Sequence, residues 1–261
     1  MSRFEEVADK LARRDLLKSQ FFTLLNGCDD LGDFEINSTE DLRCLGLEAE
    51  EEGGVLRLAS RLRTWSEQRF CVVDIETNNL PLDNARVIEI GAVMLKNGKK
   101  EDEFHSLIFT DFLPDSIVTL TGITTDMLKN APNEASVLEK FRLFLGESIF
   151  VAHNVDFDYT FLSYAFQRHG NAPLLNRKLC TIKLARKTIE AQKYGLQTLR
   201  EVLGITGDAS HRAMDDAKAA AEVFKKACNN LPKWVISTED LIEFTKSNKQ
   251  SSQPHLPFED L

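Results

Sequence analysis

The segment Phe70-Cys71-Val72-Val73-Asp74-Ile75-Glu76-Thr77 decides the fold class, because it combines the pattern of a buried strand with two carboxylates. Successive side chains of a β-strand point to opposite faces, so Asp74 and Glu76 point the same way. Two like charges in an apolar segment need a cation or a proton to balance them, and Mg²⁺ takes oxygen ligands of this kind. The segment alone predicts either a metal site or a strand end whose acids are solvated.

Length and composition indicate an ordinary globular protein. The 261 residues, 43% of them hydrophobic and 28% charged, fit one α/β domain with a smaller appendage. No apolar run is long enough to cross a bilayer, and the N-terminus does not resemble a signal peptide, so we expect a cytoplasmic protein that does not bind membranes. Five cysteines without a C-x-x-C pair argue against a disulfide framework and a zinc site.

The charge pattern bears on nucleic acid binding. A net charge of −9 argues against sequence-independent coating of a nucleic acid. A local basic run, opposed only by Glu190, is nevertheless present between Asn176 and Arg200. It fits a solvated helix face and a groove for a nucleic acid backbone equally well. Its members are Arg177, Lys178, Lys183, Arg186, Lys187, Lys193 and Arg200.

Residues 1–69 form the first predicted unit, a small and mostly helical module. Apolar residues recur at helical spacing over 7–25, and a second helical pattern covers 54–65. The acidic stretch between them is rich in turn residues, with a helix start at Ser38 or Thr39. The pattern indicates no catalytic role for this module.

From residue 70 the pattern changes to strands alternating with helices. The acidic strand, an apolar run over 87–95 ending at the hairpin signal Asn97-Gly98, and a strand at 104–109 predict an antiparallel meander. A strand at 148–152 leads into a helix capped by Asn154 and is expected to join the sheet in parallel. Further helices are predicted at 125–128, 133–145, 179–191, 196–203, from His211 onward, and at 238–246.

Four further acids lie at predicted helix starts. Asp156 fits the usual preference for acids in the first turn of a helix. Asp158 has a competing explanation, because it follows the end of a strand in an open α/β sheet, where ligands bind in such folds. Of Asp215 and Asp216, one should face solvent and the other the sheet.

Three motifs together resemble the DEDDh family of 3′→5′ exonucleases, which share a ribonuclease-H-like fold. They are Asp74-Ile75-Glu76-Thr77, then His153-Asn154-Val155-Asp156-Phe157-Asp158 with Phe161-Leu162, then His211-Arg212-Ala213-Met214-Asp215-Asp216-Ala217. The resemblance implies an α/β fold with a central mixed five-stranded sheet flanked by helices, in an exonuclease domain at 70–230. A histidine rather than a tyrosine at 211 is typical of the histidine branch.

The resemblance also implies the residues of the site. The metal ligands map onto Asp74, Glu76, Asp158 and Asp216, whereas Asp156 and Asp215 are not expected to be ligands. Four carboxylates would balance two Mg²⁺ or Mn²⁺ ions, which suit in-line phosphoryl displacement. His211 would act as the general base. The residues implied in substrate binding are Thr77, Gly122, Ile123, Asn154 and Phe157.

The other four histidines are not expected to act as the general base. His153 adjoins the second motif and is expected to support the site. His105, His169 and His255 have no partner at the spacing of metal ligands.

The expected function is removal of nucleotides from DNA 3′ ends, in replication proofreading or repair. Within the family the motifs most resemble the proofreading exonucleases of bacterial replicative polymerases, so a polymerase subunit is a possible partner. The N-terminal module and the short C-terminal segment depart from that pattern, which leaves a stand-alone repair enzyme or an RNA-trimming exonuclease open. An inactive nucleic-acid or replisome binding module is a third alternative, disfavoured because all four acids and the histidine are present.

Residues 231–261 are predicted to be a tail with one short helix. The peptide Gln253-Pro254-His255-Leu256-Pro257-Phe258 resembles the motif by which bacterial replication and repair proteins bind the sliding clamp. Gln253, Leu256 and Phe258 stand at the matching positions. The alternative is a plain tail in which the prolines discourage regular structure.

Overall fold

The N-terminal part of the chain is a small unit of short helices around a three-stranded antiparallel sheet of order β1-β3-β2. The structure, a computed structural model, describes residues 3–32, 34–78, 85–206 and 211–247. The elements of this unit are α1 Arg3–Arg13, β1 Leu16–Leu17, α2 Lys18–Asn26, a 3-10 turn Asp29–Leu31, α3 Thr39–Cys44, β2 Ala49–Glu52, β3 Val55–Leu58 and α4 Ala59–Leu62.

The helix predicted over 54–65 is wrong for its first half. Gly53 and Gly54 both have positive φ and form a tight turn, after which Val55–Leu58 pairs with Ala49–Glu52. Leu56 and Leu58 are buried at the strand period of two. In the sequence, the apolar residues of 54–65 also fit helical spacing, so this strand period was missed. The predicted start of α3 is confirmed, because Ser38 caps it and forms a reciprocal capping box with its third residue.

A mixed five-stranded sheet of order β6-β5-β4-β7-β8 forms the centre of the protein. Its strands are β4 Arg69–Thr77, β5 Val87–Lys96, β6 Lys99–Leu107, β7 Ile149–Ala152 and β8 Lys178–Cys180. The antiparallel meander β4-β5-β6 and the parallel addition of β7 to β4 are confirmed. Strand β8 was predicted as helix from residue 179, because three residues are too few to show a strand period.

Helices cover both faces of this sheet. They are α5 Asp115–Thr121, α6 Thr125–Leu128, α7 Glu134–Leu145, α8 Val155–Arg168, α9 Thr181–Thr188, α10 Leu196–Leu203, α11 Ala213–Cys228 and α12 Thr238–Lys246. Cys71, Val73 and Ile75 of β4 pack toward α7 and α8, whereas Phe70 and Val72 pack toward α9, α11 and α12. Within the described ranges, no helix has the length and apolar character required to cross a bilayer.

Helix α12 packs into the core beside the five-stranded sheet rather than lying in a free tail. Leu241, Ile242 and Phe244 are buried in the same apolar cluster as Phe70 and Phe224. The predicted helix bounds are confirmed, but the packed structure continues beyond the predicted boundary at 231.

The basic run between Asn176 and Arg200 is not a uniformly solvated face, because several of its cations are used in ion pairs. Arg177 is buried and pairs with Asp9 of α1 at 2.8 Å and with Glu239 of α12 at 2.6 Å. Lys178 pairs with Glu5 of α1. The run therefore joins the N-terminal unit, β8 and α12.

Gly91 of β5 allows the start of α11 to lie directly on the sheet. A Cβ added at Gly91 would stand 2.3 Å from the carbonyl carbon of Ala213 and 2.3 Å from the backbone nitrogen of Met214. Both are backbone atoms that no side-chain rotation can move. The close approach of α11 to β5 therefore requires glycine at this position.

We expect Gly91→Ala to destabilise the protein by about 1–3 kcal/mol, the usual cost of overpacking a core. Denaturant unfolding measures the loss. Gly27→Ala is the matched control, because its added Cβ would make ordinary contacts at 3.4 and 3.5 Å. Equal stability of the two variants would contradict the close-packing argument.

Candidate active site

Strand β4 carries the first two carboxylates to the face of the sheet that α11 covers. Asp74 and Glu76 lie on the same side as Phe70 and Val72 and are half-buried. Parallel pairing with β7 covers only Phe70–Val72 of this strand. The backbone of the end of β4 that bears the acids is therefore not paired with β7, and α8 begins beside it.

Helix α11 brings Asp216 to these two acids. One carboxylate oxygen from each of Asp74, Glu76 and Asp216 lies within 4.8 Å of the others, close enough to share a metal ion. Gly91 stands opposite Asp74 in the β4–β5 register, so the close approach of α11 sets this distance. Oxygen-only ligands fit a hard divalent cation such as Mg²⁺ or Mn²⁺.

Asp158 lies beside this group of three but not within it. Its Oδ1 accepts a hydrogen bond from the backbone N–H of Ile75 at 3.2 Å, and its side chain is buried. Asn154 makes the turn from β7 into α8 with φ of 83°, and, contrary to the prediction, its side chain does not cap α8. The turn directs the first residues of α8 toward the open end of β4.

The four acids repel one another in a poorly solvated place. Burial, with the neighbouring acids, raises the pKa of Glu76 to about 8, and burial raises the pKa of Asp158 to about 7. For the same reasons the pKa of Asp74 lies well above its usual value. Burial also raises the pKa of Asp216, against the opposing charges of His211 and Arg200. Bound cations would relieve this repulsion.

His211 is exposed and lies two residues before α11. Its charge lowers the pKa of Asp216, so the imidazole lies near enough to that carboxylate to act on it electrostatically. This position suits a residue that exchanges protons with water at the site.

Glu89 is the residue of this region that the sequence argument missed. It is fully buried on β5, opposite Glu76 in the register, and accepts hydrogen bonds from Arg212, Ala213 and His105. Burial raises the pKa of Glu89, but these partners outweigh it and hold the pKa below its usual value. One acid inside the apolar run at 87–95 was the available signal.

Comparison with known proteins identifies the family. The family model described as RNase_T, exonuclease, matches residues 71–224, which is more than half of the chain. The chain belongs to the RNase_T exonuclease family. It is a 3′→5′ exonuclease, as the three motifs predicted. Divalent-metal dependence is typical of the family, and the carboxylate group of this exonuclease offers the ligands.

Two relatives are named as DNA polymerase III proteins, and the chain spans most of the first but only a small part of the second. It is 35% identical over 164 residues to the DNA polymerase III subunit epsilon of Aquifex aeolicus, covering 62% of this chain and 81% of that protein. It is also 35% identical over 199 residues to the PolC-type DNA polymerase III of Thermotoga maritima, covering 73% of this chain but only 15% of that protein.

Solved structures share the fold of this exonuclease. An E. coli ExoI–ssDNA complex matches with a TM-score of 0.57 and 19% identity over 64% of this chain and 42% of that chain. Exonuclease X in complex with 5′ overhanging duplex DNA matches with a TM-score of 0.51 and 23% identity over 67% of this chain and 99% of that chain. The predicted ribonuclease-H-like fold is confirmed.

The residues predicted to bind substrate differ in their exposure. Phe157 is 43% exposed and stacks on Phe161 with ring centroids 4.6 Å apart. Gly122 ends α5 in the left-handed conformation. Ile123 is fully buried in a small apolar cluster, so its side chain supports this loop from inside. Thr77, at the end of β4, is buried.

His153 and Asp156 both have structural partners. The two ring nitrogens of His153 lie 2.8 Å from Thr181 Oγ1 and 3.0 Å from the carbonyl oxygen of Tyr194, and burial lowers its pKa to about 4. Asp156 pairs with Lys178 at 3.0 Å. His153 therefore supports the start of α9, and Asp156 lies outside the group of three acids.

The raised pKa values predict that metal-free exonuclease loses stability as pH rises. Between the ordinary carboxyl pKa and about 7–8, folded Glu76 and Asp158 retain protons that the unfolded chain has lost. This stability is present below the ordinary pKa and is lost as pH rises through about 8. We expect the Tm in EDTA to fall between pH 5 and pH 9, by about 2–4 °C per kcal/mol lost.

Differential scanning calorimetry measures this fall, with Glu76→Gln as the comparison. The variant has one carboxylate fewer, so its Tm should depend less on pH. Added Mn²⁺ should raise the Tm of the natural protein most at high pH. A Tm that is independent of pH in EDTA would contradict the repulsion described above.

Proposed function

We propose that this exonuclease removes nucleotides from DNA 3′ ends in replication proofreading or repair. The observation that carries the proposal is the convergence of Asp74, Glu76 and Asp216 within 4.8 Å. The charge of His211, which lowers the pKa of Asp216, supports its assignment as the base. The relatives named as DNA polymerase III subunits support a DNA substrate and a polymerase partner. This role also fits the cytoplasmic location expected from the sequence.

The chemistry follows from the positions of the side chains. Asp74, Glu76 and Asp216 would hold the divalent cations, with Asp158 as a further ligand, and two Mg²⁺ or Mn²⁺ ions would stabilise the charge on the phosphodiester when bound. His211 takes the proton from the attacking water. The water oxygen bonds to phosphorus as the bond to the 3′ oxygen of the preceding nucleotide breaks. That oxygen gains a proton from solvent, and a nucleoside 5′-monophosphate is released.

The test uses the purified full chain, Mg²⁺ or Mn²⁺, and 5′-labelled single-stranded DNA and RNA of one sequence. We expect stepwise shortening of the DNA from its 3′ end, faster than that of the RNA, and protection of a 3′-blocked DNA. Faster digestion of the RNA would replace DNA by RNA as the substrate. Binding without hydrolysis under both metals would favour the inactive binding module.

We infer a second contact of the chain, with the sliding clamp, from its C-terminal peptide. Gln253, Leu256 and Phe258 lie outside the described residues, so the sequence motif alone supports this partner. Tethering to a clamp on DNA would raise the local substrate concentration for a chain of net charge −9. Binding of the clamp by the full chain, and its loss on changing all three residues to Ala, tests the inference. Equal affinities would remove it.

We also propose a division of the chain at about residue 69. Residues 1–69 would be an appended unit of unassigned role, 70–230 the exonuclease domain and 231–261 the C-terminal segment. The separate apolar core of the N-terminal unit supports the first boundary, although Leu175 of the exonuclease domain also packs into that core.

A further inference from the structure

The buried carboxylate of Glu89 holds the two residues that follow His211. Oε1 accepts from Arg212 Nη2 at 2.7 Å, and Oε2 accepts from the backbone N–H of Ala213 at 3.0 Å. His105 Nε2 on β6 lies 2.7 Å from Oε1. The carboxylate thus joins β5 and β6 to the start of α11.

These bonds exclude Glu89 from the metal site although it neighbours Glu76. Its side chain is 0% exposed, and both of its oxygens already have donors. A buried carboxylate with charged and backbone donors is held in one geometry, because losing any donor leaves a costly unpaired group. Glu89 is therefore suited to fixing the position of other groups.

The residues that Glu89 holds, Arg212 and Ala213, lie in the chain between His211 and Asp216 of the site. Ala213 is the first residue of α11, and its N–H, which has no acceptor within the helix, donates to Glu89 instead. The negative charge of Glu89 also favours this helix end. His211 precedes this anchor by two residues. Asp216 follows within one turn, its N–H bonded to the carbonyl of Arg212 at 3.0 Å.

We propose that Glu89 is a positioning residue for hydrolysis, which holds His211 and Asp216 in their working places through Arg212 and Ala213. The proposal rests on the function proposed above for His211 and Asp216. Glu89 does not touch the substrate or a reacting atom. Its loss should therefore lower turnover while leaving substrate binding largely unchanged.

Glu134 offers a matched control within the same chain. It is 7% exposed and accepts from Arg168 at 2.6 Å, from the backbone N–H of Val87 at 3.2 Å, and lies 2.8 Å from His169 Nε2. An arginine, a histidine and a backbone N–H thus surround each of the two buried glutamates. The Glu134 set joins α7, the end of α8 and β5, whereas the Glu89 set holds α11.

The experiment compares Glu89→Gln with Glu134→Gln in the full chain, at a temperature where circular dichroism shows both folded. We expect kcat of Glu89→Gln to fall about 10²-fold, the effect of a misplacement near 1 Å, with KM changed less than threefold. Its pH–rate profile should change shape, and the Tm increase on adding Mn²⁺ should shrink. Glu134→Gln should lose similar stability but keep its kcat within about threefold.

Equal losses of kcat in both variants, or an unchanged kcat in Glu89→Gln, would overturn the proposal. If Glu89→Gln does not fold, Arg212→Lys tests the proposal. Lysine keeps the charge but cannot form the bidentate pair that Arg212 Nε and Nη2 make with Glu89. The same kcat loss is expected there. An inactive natural protein would instead refute the proposed function, so the two failures are distinguishable.

Discussion

Asp74→Asn should abolish metal-dependent hydrolysis by this exonuclease. The substitution keeps the shape of the side chain but removes one charge from the carboxylate group that would hold the metal ions. Metal ions stabilise such transition states by several kcal/mol, so we expect a loss of at least about 10³-fold in kcat. The same loss is expected for Glu76→Gln, Asp158→Asn and Asp216→Asn. Single-turnover digestion of 3′-ended DNA measures it.

Although Asp74→Asn should lose activity, we expect the metal-free variant to be at least as stable as the natural protein. Because burial and, after it, the neighbouring acids raise the pKa of Asp74, removing its charge relieves an unfavourable interaction in the metal-free protein. The Tm of Asp74→Asn in EDTA at pH 8 should therefore equal or exceed that of the natural protein. A lower Tm together with lost activity would indicate misfolding rather than loss of a ligand.

Two neighbouring acids serve as controls for the assignment of ligands. Asp215 precedes Asp216 on α11, and Asp156 lies in the first turn of α8, where it pairs with Lys178. We expect Asp215→Asn and Asp156→Asn to keep at least a third of the natural kcat. If either change were as damaging as Asp74→Asn, the chosen register of the motifs would be wrong.

His211→Ala should lower kcat by about 10²–10⁴-fold, the usual share of general acid–base catalysis. Metal affinity should change little, because His211 is outside the group of three acids that lie within metal-sharing distance. The pH–rate profile should lose the ionisation of the base. Rates across pH and the Tm shift with Mn²⁺ measure the two effects separately.

His169→Ala is the matched control. His169 follows the far end of the 14-residue helix α8, about 20 Å from its first turn. We expect its kcat to stay within about threefold of the natural value. An unchanged kcat in His211→Ala would remove the general-base assignment.

The elements around the site could be predicted because their signals are local. Two acids at strand spacing, a hairpin signal and a strand before a helix are readable over a few residues, and β4, β5 and β7 formed as predicted. Short elements were not predictable in this way. Strands β3 and β8 contain four and three residues, too few to show a strand period, and they become strands by pairing with β1 and β2 and with β7.

The side chains that support the site could not be predicted, because their partners are distant in the chain. Glu89 meets Arg212 across 123 residues, and Arg177 meets Asp9 across 168. Sequence patterns show that a charge is present but not which opposite charge the fold brings to it. For this reason the basic run was predicted to be either a solvated helix face or a groove for a nucleic acid backbone, whereas Arg177 is buried in ion pairs.

The ion pairs of Arg177 show that the part of the chain matched by the exonuclease family model packs together with residues outside that match. The exonuclease family model matches residues 71–224, yet Asp9 pairs with Arg177, and Leu175 is 0% exposed among apolar residues of the N-terminal unit. A fragment that begins at residue 71 would lack Asp9, a partner of Arg177. It would also expose the apolar surface around Leu175, and exposed apolar patches favour aggregation. Residues of the N-terminal unit are thus a structural part of the enzyme.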